Sequence, residues 1–136
     1  MLRHRRENMG NSQQIGNIGE NIAAAFLISK GFKILTRNYN KKWGELDIVV
    51  EKAGRTHFIE VKTISRENKS SVSRENSQEY RPEENMHRKK IERLHRAMQS
   101  YISEYSVTDD WQLDLVAVRI FIKDKKAECE IVENVL

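Results

Sequence analysis

Two short runs of β-forming residues carry charged side chains among apolar neighbours, and this pattern constrains the fold most strongly. Asp47 lies in the run 46–51, and Glu60 and Lys62 lie in the run 57–62. Burying an unpaired charge costs several kcal/mol. Each carboxylate must therefore lie at the end or edge of its strand, or it must be paired.

If the two runs pair as a hairpin, Asp47 and Glu60 lie side by side on neighbouring strands. Two like charges in contact repel each other unless a cation joins them, and Mg²⁺ or Mn²⁺ suits such an oxygen pair. Lys62 is two residues from Glu60 and shares its face of the strand. That position would let Lys62 orient or help deprotonate an attacking water and stabilise charge on a phosphate.

A glutamate and a lysine two residues apart are also common on a solvated strand, where they have no catalytic role. The combination with Asp47, and with Glu20 on the first predicted helix, favours a site. Glu20 as an ordinary solvated helix residue stays open as an alternative. We expect Glu45 to lie near a turn, outside the ligand set, and an outer-sphere role for it stays open as an alternative.

Hydrophobic periodicity predicts the order α-β-β-β-α-β-β, which is an α/β fold with a mixed sheet flanked by helices. Residues 1–14 are polar and are expected to form a flexible basic arm, followed by a single domain over 15–136. The interval 65–84 predicts a long loop, and 38–44 a shorter one. The predicted helices start at residues 15 and 84, and the predicted strands cover 32–36, 46–51, 57–62, 113–122 and 127–132.

The length of 136 residues suits a single domain. The net charge is +4. We expect no membrane span and no secretion signal, and therefore a cytoplasmic protein. Cys129 is the only cysteine, which excludes an intramolecular disulfide and a thiolate-rich zinc site within one chain. His57 is expected to be exposed on its strand, whereas the role of Asp114 stays open.

The strongest basic cluster lies within residues 88–96, at the start of the second predicted helix. Such a cluster suits the phosphate backbone of a nucleic acid. The alternatives are a solvated helix face that pairs with nearby glutamates, and a protein-interaction surface for an acidic partner. The candidate nucleic-acid-binding residues are Arg88, Lys89, Lys90, Arg93 and Arg96.

Several segments, taken in order from about Ile15 to Val118, resemble the YraN family. That family is similar to the PD-(D/E)XK nuclease superfamily and, within it, to the Holliday junction resolvases. The segments are Gly16-Asn17-Ile18-Gly19-Glu20, Arg37-Asn38, Gly44-Glu45-Leu46-Asp47, Ile59-Glu60-Val61-Lys62, and Pro82-Glu83-Glu84 running into Lys90 and Leu94.

The resemblance implies a restriction-endonuclease-like fold and a metal-dependent endonuclease acting on DNA, with branched DNA among its substrates. By analogy with resolvases it also suggests a homodimer. A non-catalytic nucleic-acid-binding module that retains the fold is the alternative. Val61 would offer its backbone carbonyl to the metal, and Lys90 falls on the lysine of the family's second helix. The implied catalytic residues are Glu20, Asp47, Glu60 and Lys62, the first three of them also metal ligands.

Overall fold

A five-stranded mixed sheet with a helix on each face organises the computed structural model, which describes residues 12–67 and 88–136. The strands lie in the order β1-β2-β3-β4-β5, and only β3 and β4 are parallel. The predicted element order is confirmed, and it is compatible with a restriction-endonuclease-like fold. The elements are α1 (Ser12–Ser29), β1 (Lys33–Lys41), β2 (Gly44–Lys52), β3 (Arg55–Arg66), α2 (Arg88–Glu104), β4 (Trp111–Phe121) and β5 (Lys126–Val132).

Each helix packs on its own apolar cluster, one on either side of the sheet. Helix α1 contributes Ala23 and Leu27 to the first cluster, and α2 contributes Leu94 and Met98 to the second. The alternation of side chains along the strands feeds both clusters, since successive residues point to opposite faces. The sheet therefore lies between two packed apolar layers.

Two glycines bring the helices close to the strands near the acidic residues. A β-carbon at Gly19 would overlap the Thr63 side chain, and one at Gly44 would overlap the main-chain carbonyl of Arg93. Gly19 therefore permits the close packing of α1 on β3 beside Glu20. Gly44 permits the start of β2 to lie directly against α2.

Strand β1 is longer than expected, because it continues to Lys41 and includes residues predicted as loop. Asn38 has a positive φ of 56° in the strand, a conformation that asparagine tolerates better than most residues. On one side of it Arg37 reaches α1, where its Nη2 donates to Oδ1 of Asn21 at 2.9 Å. On the other side Tyr39 is buried against α2, 5.3 Å from Tyr101 between ring centroids. The loop prediction for 38–41 is therefore wrong.

Strand β3 also runs beyond its predicted end, because Ser65 and Arg66 still pair with β4, so the loop prediction for residues 65 and 66 is wrong. The remaining boundaries agree more closely with expectation. Helix α1 begins at Ser12, three residues before the predicted start, and the predicted hairpin of β2 and β3 is confirmed. Residues 68–87, which include most of the predicted long loop and the predicted start of the second helix, lie outside the described residues. None of the helices in the described ranges is long and apolar enough to cross a membrane.

His57 is buried rather than exposed, because it pairs with the fully buried Asp114. Its Nδ1 donates to Oδ2 of Asp114 at 2.7 Å. The other oxygen, Oδ1, accepts from Nε2 of Gln112 at 2.8 Å and from the main-chain N–H of Asn134 at 2.9 Å. This buried carboxylate therefore ties β3, β4 and the C-terminal residues together.

Candidate active site

The site begins where β2 and β3 stop pairing. Their ladder ends at the pair Ile48 and Ile59, so Asp47 and Glu60 lie just beyond the last paired residues. There the main-chain N–H of Val61 donates to Oδ2 of Asp47 at 2.8 Å. In a regular strand pair this N–H would donate to a main-chain carbonyl, but here it donates to the Asp47 carboxylate. The bond fixes the position of that carboxylate between the two strands.

Glu60 is the most deeply enclosed carboxylate of the group. Its side chain is 9% exposed, and its Oε2 accepts from Nζ of Lys90 at 2.7 Å. The charge of Asp47 also acts on this carboxyl group. Lys90 belongs to the first turn of α2, so this ion pair joins the helix to strand β3.

Glu20 approaches the same carboxylates from α1. Its carboxyl group interacts with that of Asp47, and its Oε1 lies 3.9 Å from Nη2 of Arg37. The close packing at Gly19 places Glu20 at this point of the sheet. We call Glu20, Asp47 and Glu60 the acidic cluster.

The acidic cluster carries more negative charge than its neighbours neutralise. Burial, and then the charge of Asp47, raise the pKa of Glu60 to about 7, against the opposing effect of Lys90. Burial also raises the pKa of Asp47, although the Val61 N–H and Lys90 oppose it. The pKa of Glu20 is raised by burial and by Asp47. An added cation would relieve this repulsion.

The pKa of Lys90 is also raised, which for a lysine favours the charged form. Its own burial lowers its pKa, but the hydrogen bond and the charge of Glu60 raise the pKa overall. The ammonium group is therefore held in its charged form beside Glu60. Lys90 was predicted to bind nucleic acid, and its contact with the acidic cluster is the site feature that the sequence pattern missed.

Lys62 lines a cavity of about 480 Å³ together with all three carboxylates and Val61. It forms no ion pair with any residue in 12–67 or 88–136. Its ammonium group is thus available to a bound molecule. Glu45, which was expected outside the ligand set, is exposed on the rim of this cavity, and its charge raises the pKa of both Glu20 and Asp47.

The basic start of α2 opens onto the same carboxylates. Arg88, Lys89 and Arg93 line a second cavity, of about 790 Å³, whose wall also contains Asp47 and Glu60. The apolar side of the helix is anchored by the buried Leu94 and Met98. Arg96 is exposed but does not line this cavity.

The oxygen atoms of the acidic cluster fit a hard divalent cation by their chemistry, since carboxylates are preferred by Mg²⁺ and Mn²⁺. Within the part of the chain that the structure describes, no three His, Cys, Asp or Glu side chains form a ready-made metal cage. Water and substrate oxygens usually complete a Mg²⁺ shell built on one or two carboxylates. The donor set therefore suits a partial site of that kind.

The fold and the acidic cluster define a mixed α/β protein with carboxylates gathered where two strands separate. Residues 19–118, more than half of the chain, match the uncharacterised protein family UPF0102. The protein belongs to this family, which is the family named by the YraN resemblance.

Relatives in three Campylobacter species illustrate the match. A UPF0102 protein of Campylobacter jejuni is 34% identical over 104 residues, covering 76% of this chain and 82% of that protein. One of Campylobacter hominis is 29% identical over 122 residues, covering 90% and 93% respectively. One of Campylobacter fetus is 49% identical over 49 residues, covering 36% of this chain and 44% of that protein. The last match therefore spans less than half the length of the relative.

Proposed function

We propose that this protein is a metal-dependent endonuclease of the PD-(D/E)XK superfamily that hydrolyses phosphodiester bonds of DNA. The observation that carries this proposal is that Asp47 and Glu60 lie at the same opening as a row of cations on α2. Carboxylates that can hold a metal, next to cations that can hold a phosphate backbone, are the two requirements of such an enzyme.

Asp47 and Glu60 would hold Mg²⁺ or Mn²⁺, with Glu20 and the main-chain carbonyl of Val61 completing the protein ligands. When bound, the ion would supply electrophilic activation of the scissile phosphate and of the attacking water. The Val61 N–H keeps the Asp47 carboxylate in place. Lys62 orients the attacking water through its Nζ and stabilises negative charge on the phosphate oxygens.

Arg88, Lys89 and Arg93 would bind phosphates that flank the scissile bond. Such contacts position a nucleic acid without reading its sequence. Branched DNA is the substrate that the similarity to resolvases suggests, and a homodimer is proposed on the same analogy. Light scattering of the pure protein tests the dimer directly.

A cleavage assay tests the proposal. Junction, flap, single-stranded and duplex DNA, together with RNA, are incubated with the protein and Mg²⁺ or Mn²⁺. Glu60→Gln keeps the shape of the side chain and removes its charge, so cleavage should fall by several orders of magnitude. Glu92→Gln, an exposed glutamate on α2, is the matched control and should retain the activity. Failure of the wild-type protein to cleave any substrate contradicts the proposal.

A non-catalytic nucleic-acid-binding module is the second candidate. It is favoured by the ion pair of Lys90 with Glu60, because a cation of the protein itself already neutralises one carboxylate of the site. Binding of the same substrates without cleavage in either metal would support this candidate over the enzyme.

A further inference from the structure

Lys90 is the cation that directly contacts the most enclosed carboxylate of the acidic cluster. Its Nζ lies 2.7 Å from Oε2 of Glu60, a distance typical of a charge-assisted hydrogen bond. The charge of Lys90 also acts on Asp47. A protein ammonium group therefore lies where two carboxylates meet.

The two partners differ in their freedom to move. Glu60 is 9% exposed on a central strand, whereas Lys90 is 44% exposed on the first turn of α2. A lysine has a flexible four-carbon stem, so the ammonium group can leave while the carboxylate stays. Removing one partner of an enclosed ion pair leaves an uncompensated charge, so loss of the Lys90 ammonium group should destabilise the metal-free protein.

A divalent cation in contact with Glu60 would lie within a few ångströms of that ammonium group and would be repelled by it. The two cations therefore compete for the same carboxylate. The departing group has space to enter, because Lys90 lines the cavity of about 790 Å³ that Arg88, Lys89 and Arg93 of the same helix also line.

We infer that Lys90 is a built-in counter-ion of Glu60 and that a divalent cation binds the acidic cluster when the Lys90 ammonium withdraws. This inference rests on the proposed metal-dependent function, and it makes Lys90 a positioning residue that sets metal affinity. The withdrawn ammonium group then lies beside the cations of α2 that would bind a phosphate. Binding of the metal therefore adds a positive charge to the phosphate-binding surface.

Calorimetric titration with Mn²⁺ tests the inference, using the full chain at mildly alkaline pH. Lys90→Met removes the competing charge and should tighten Mn²⁺ binding by about tenfold or more. Lys89→Met removes an equal charge from the neighbouring residue, which lines the cavity without contacting Glu60 in the structure, and should change the affinity by about twofold or less. The difference in Mn²⁺ affinity between the two variants separates the effect of the Lys90–Glu60 contact from that of removing one positive charge near the site.

Thermal unfolding without metal gives a second measurement. Lys90→Met should lower the melting temperature, and the added change Glu60→Gln should restore it, because the uncompensated carboxylate is then gone. Lys90→Arg retains the positive charge and serves as a second variant in case Lys90→Met does not fold. It should bind Mn²⁺ no more tightly than the wild type.

Unchanged or weaker Mn²⁺ binding by folded Lys90→Met, relative to Lys89→Met, overturns the inference, and so does tighter binding by Lys90→Arg. Absence of binding in every variant overturns it as well. Failure of the proposed function is separate, since it takes the form of Mn²⁺ binding by the wild type without cleavage of any nucleic acid.

Discussion

The main-chain N–H of Val61 bonds to Oδ2 of Asp47, and this bond joins two strands at the point where their regular pairing has ended. It holds the Asp47 carboxylate, a proposed metal ligand, next to the residue whose main-chain carbonyl would also bind the ion. A substitution at Asp47 therefore removes both a proposed metal ligand and this bond between the strands.

Asp47→Ala should abolish binding of Mg²⁺ and Mn²⁺, because it removes a central oxygen ligand. In the wild type, binding of either metal should raise the melting temperature in line with the ratio of free metal to its dissociation constant. Calorimetric titration and thermal unfolding of both proteins measure this. Asp110→Ala, at an exposed carboxylate, is the control and should bind metal as the wild type does. Equal binding by Asp47→Ala and the wild type would remove Asp47 from the ligand set.

The pKa of Glu60, raised to about 7, predicts a specific dependence of stability on pH. Between its ordinary pKa of 4.5 and about 7, the folded protein binds a proton at Glu60 that the unfolded chain does not. Stability therefore falls as the pH rises through this window, by at most about 3 kcal/mol from this group. Glu60→Gln should remove that fall. Urea unfolding of both metal-free proteins across the window measures the difference, and parallel curves would contradict it.

The phosphate contacts of α2 should appear in the salt dependence of DNA binding. Each of Lys89→Ala and Arg93→Ala should lower the slope of log affinity against log salt by roughly one, with similar losses for all sequences. Lys33→Ala, at an exposed lysine of β1, is the control and should leave the slope unchanged. Fluorescence anisotropy over a salt series measures all three. Slopes equal to that of the wild type would mean that nucleic acid approaches another face.

Asp114 should prove essential for stability and not for chemistry. Asp114→Ala leaves the buried His57 without its partner and removes the acceptor shared by Gln112 and Asn134. We expect a loss of about 3 kcal/mol or more in the free energy of unfolding. Asp110→Ala breaks only the exposed pair with Arg55, at 3.5 Å, and should cost less than about 1 kcal/mol. Urea unfolding gives both values. A loss at Asp114 no larger than that at Asp110 would contradict the structural role.

Local pattern was sufficient for the element order and for the neighbouring positions of Asp47 and Glu60, because strand alternation and a short turn determine both. It was not sufficient for contacts between distant residues. The partner of His57 is 57 positions away in Asp114, so its burial had no local signal. The contact of Lys90 with Glu60 likewise depends on how α2 packs on the sheet. Polar residues after position 37 favoured a loop, but β1 continues through Asn38, which adopts a positive φ within the strand.

The order of elements along the chain has a consequence for biosynthesis. All three carboxylates of the acidic cluster lie in α1 and the first three strands, whereas Lys90 and the other cations of α2 come later. During translation the negative half of the site therefore leaves the ribosome first. Strand β3 can pair with its parallel neighbour β4 only after β4 has been synthesised. This pairing is intrinsically slow, because it closes a long stretch of chain. A nascent chain that has not reached β4 lacks the strand that completes the sheet behind Glu60.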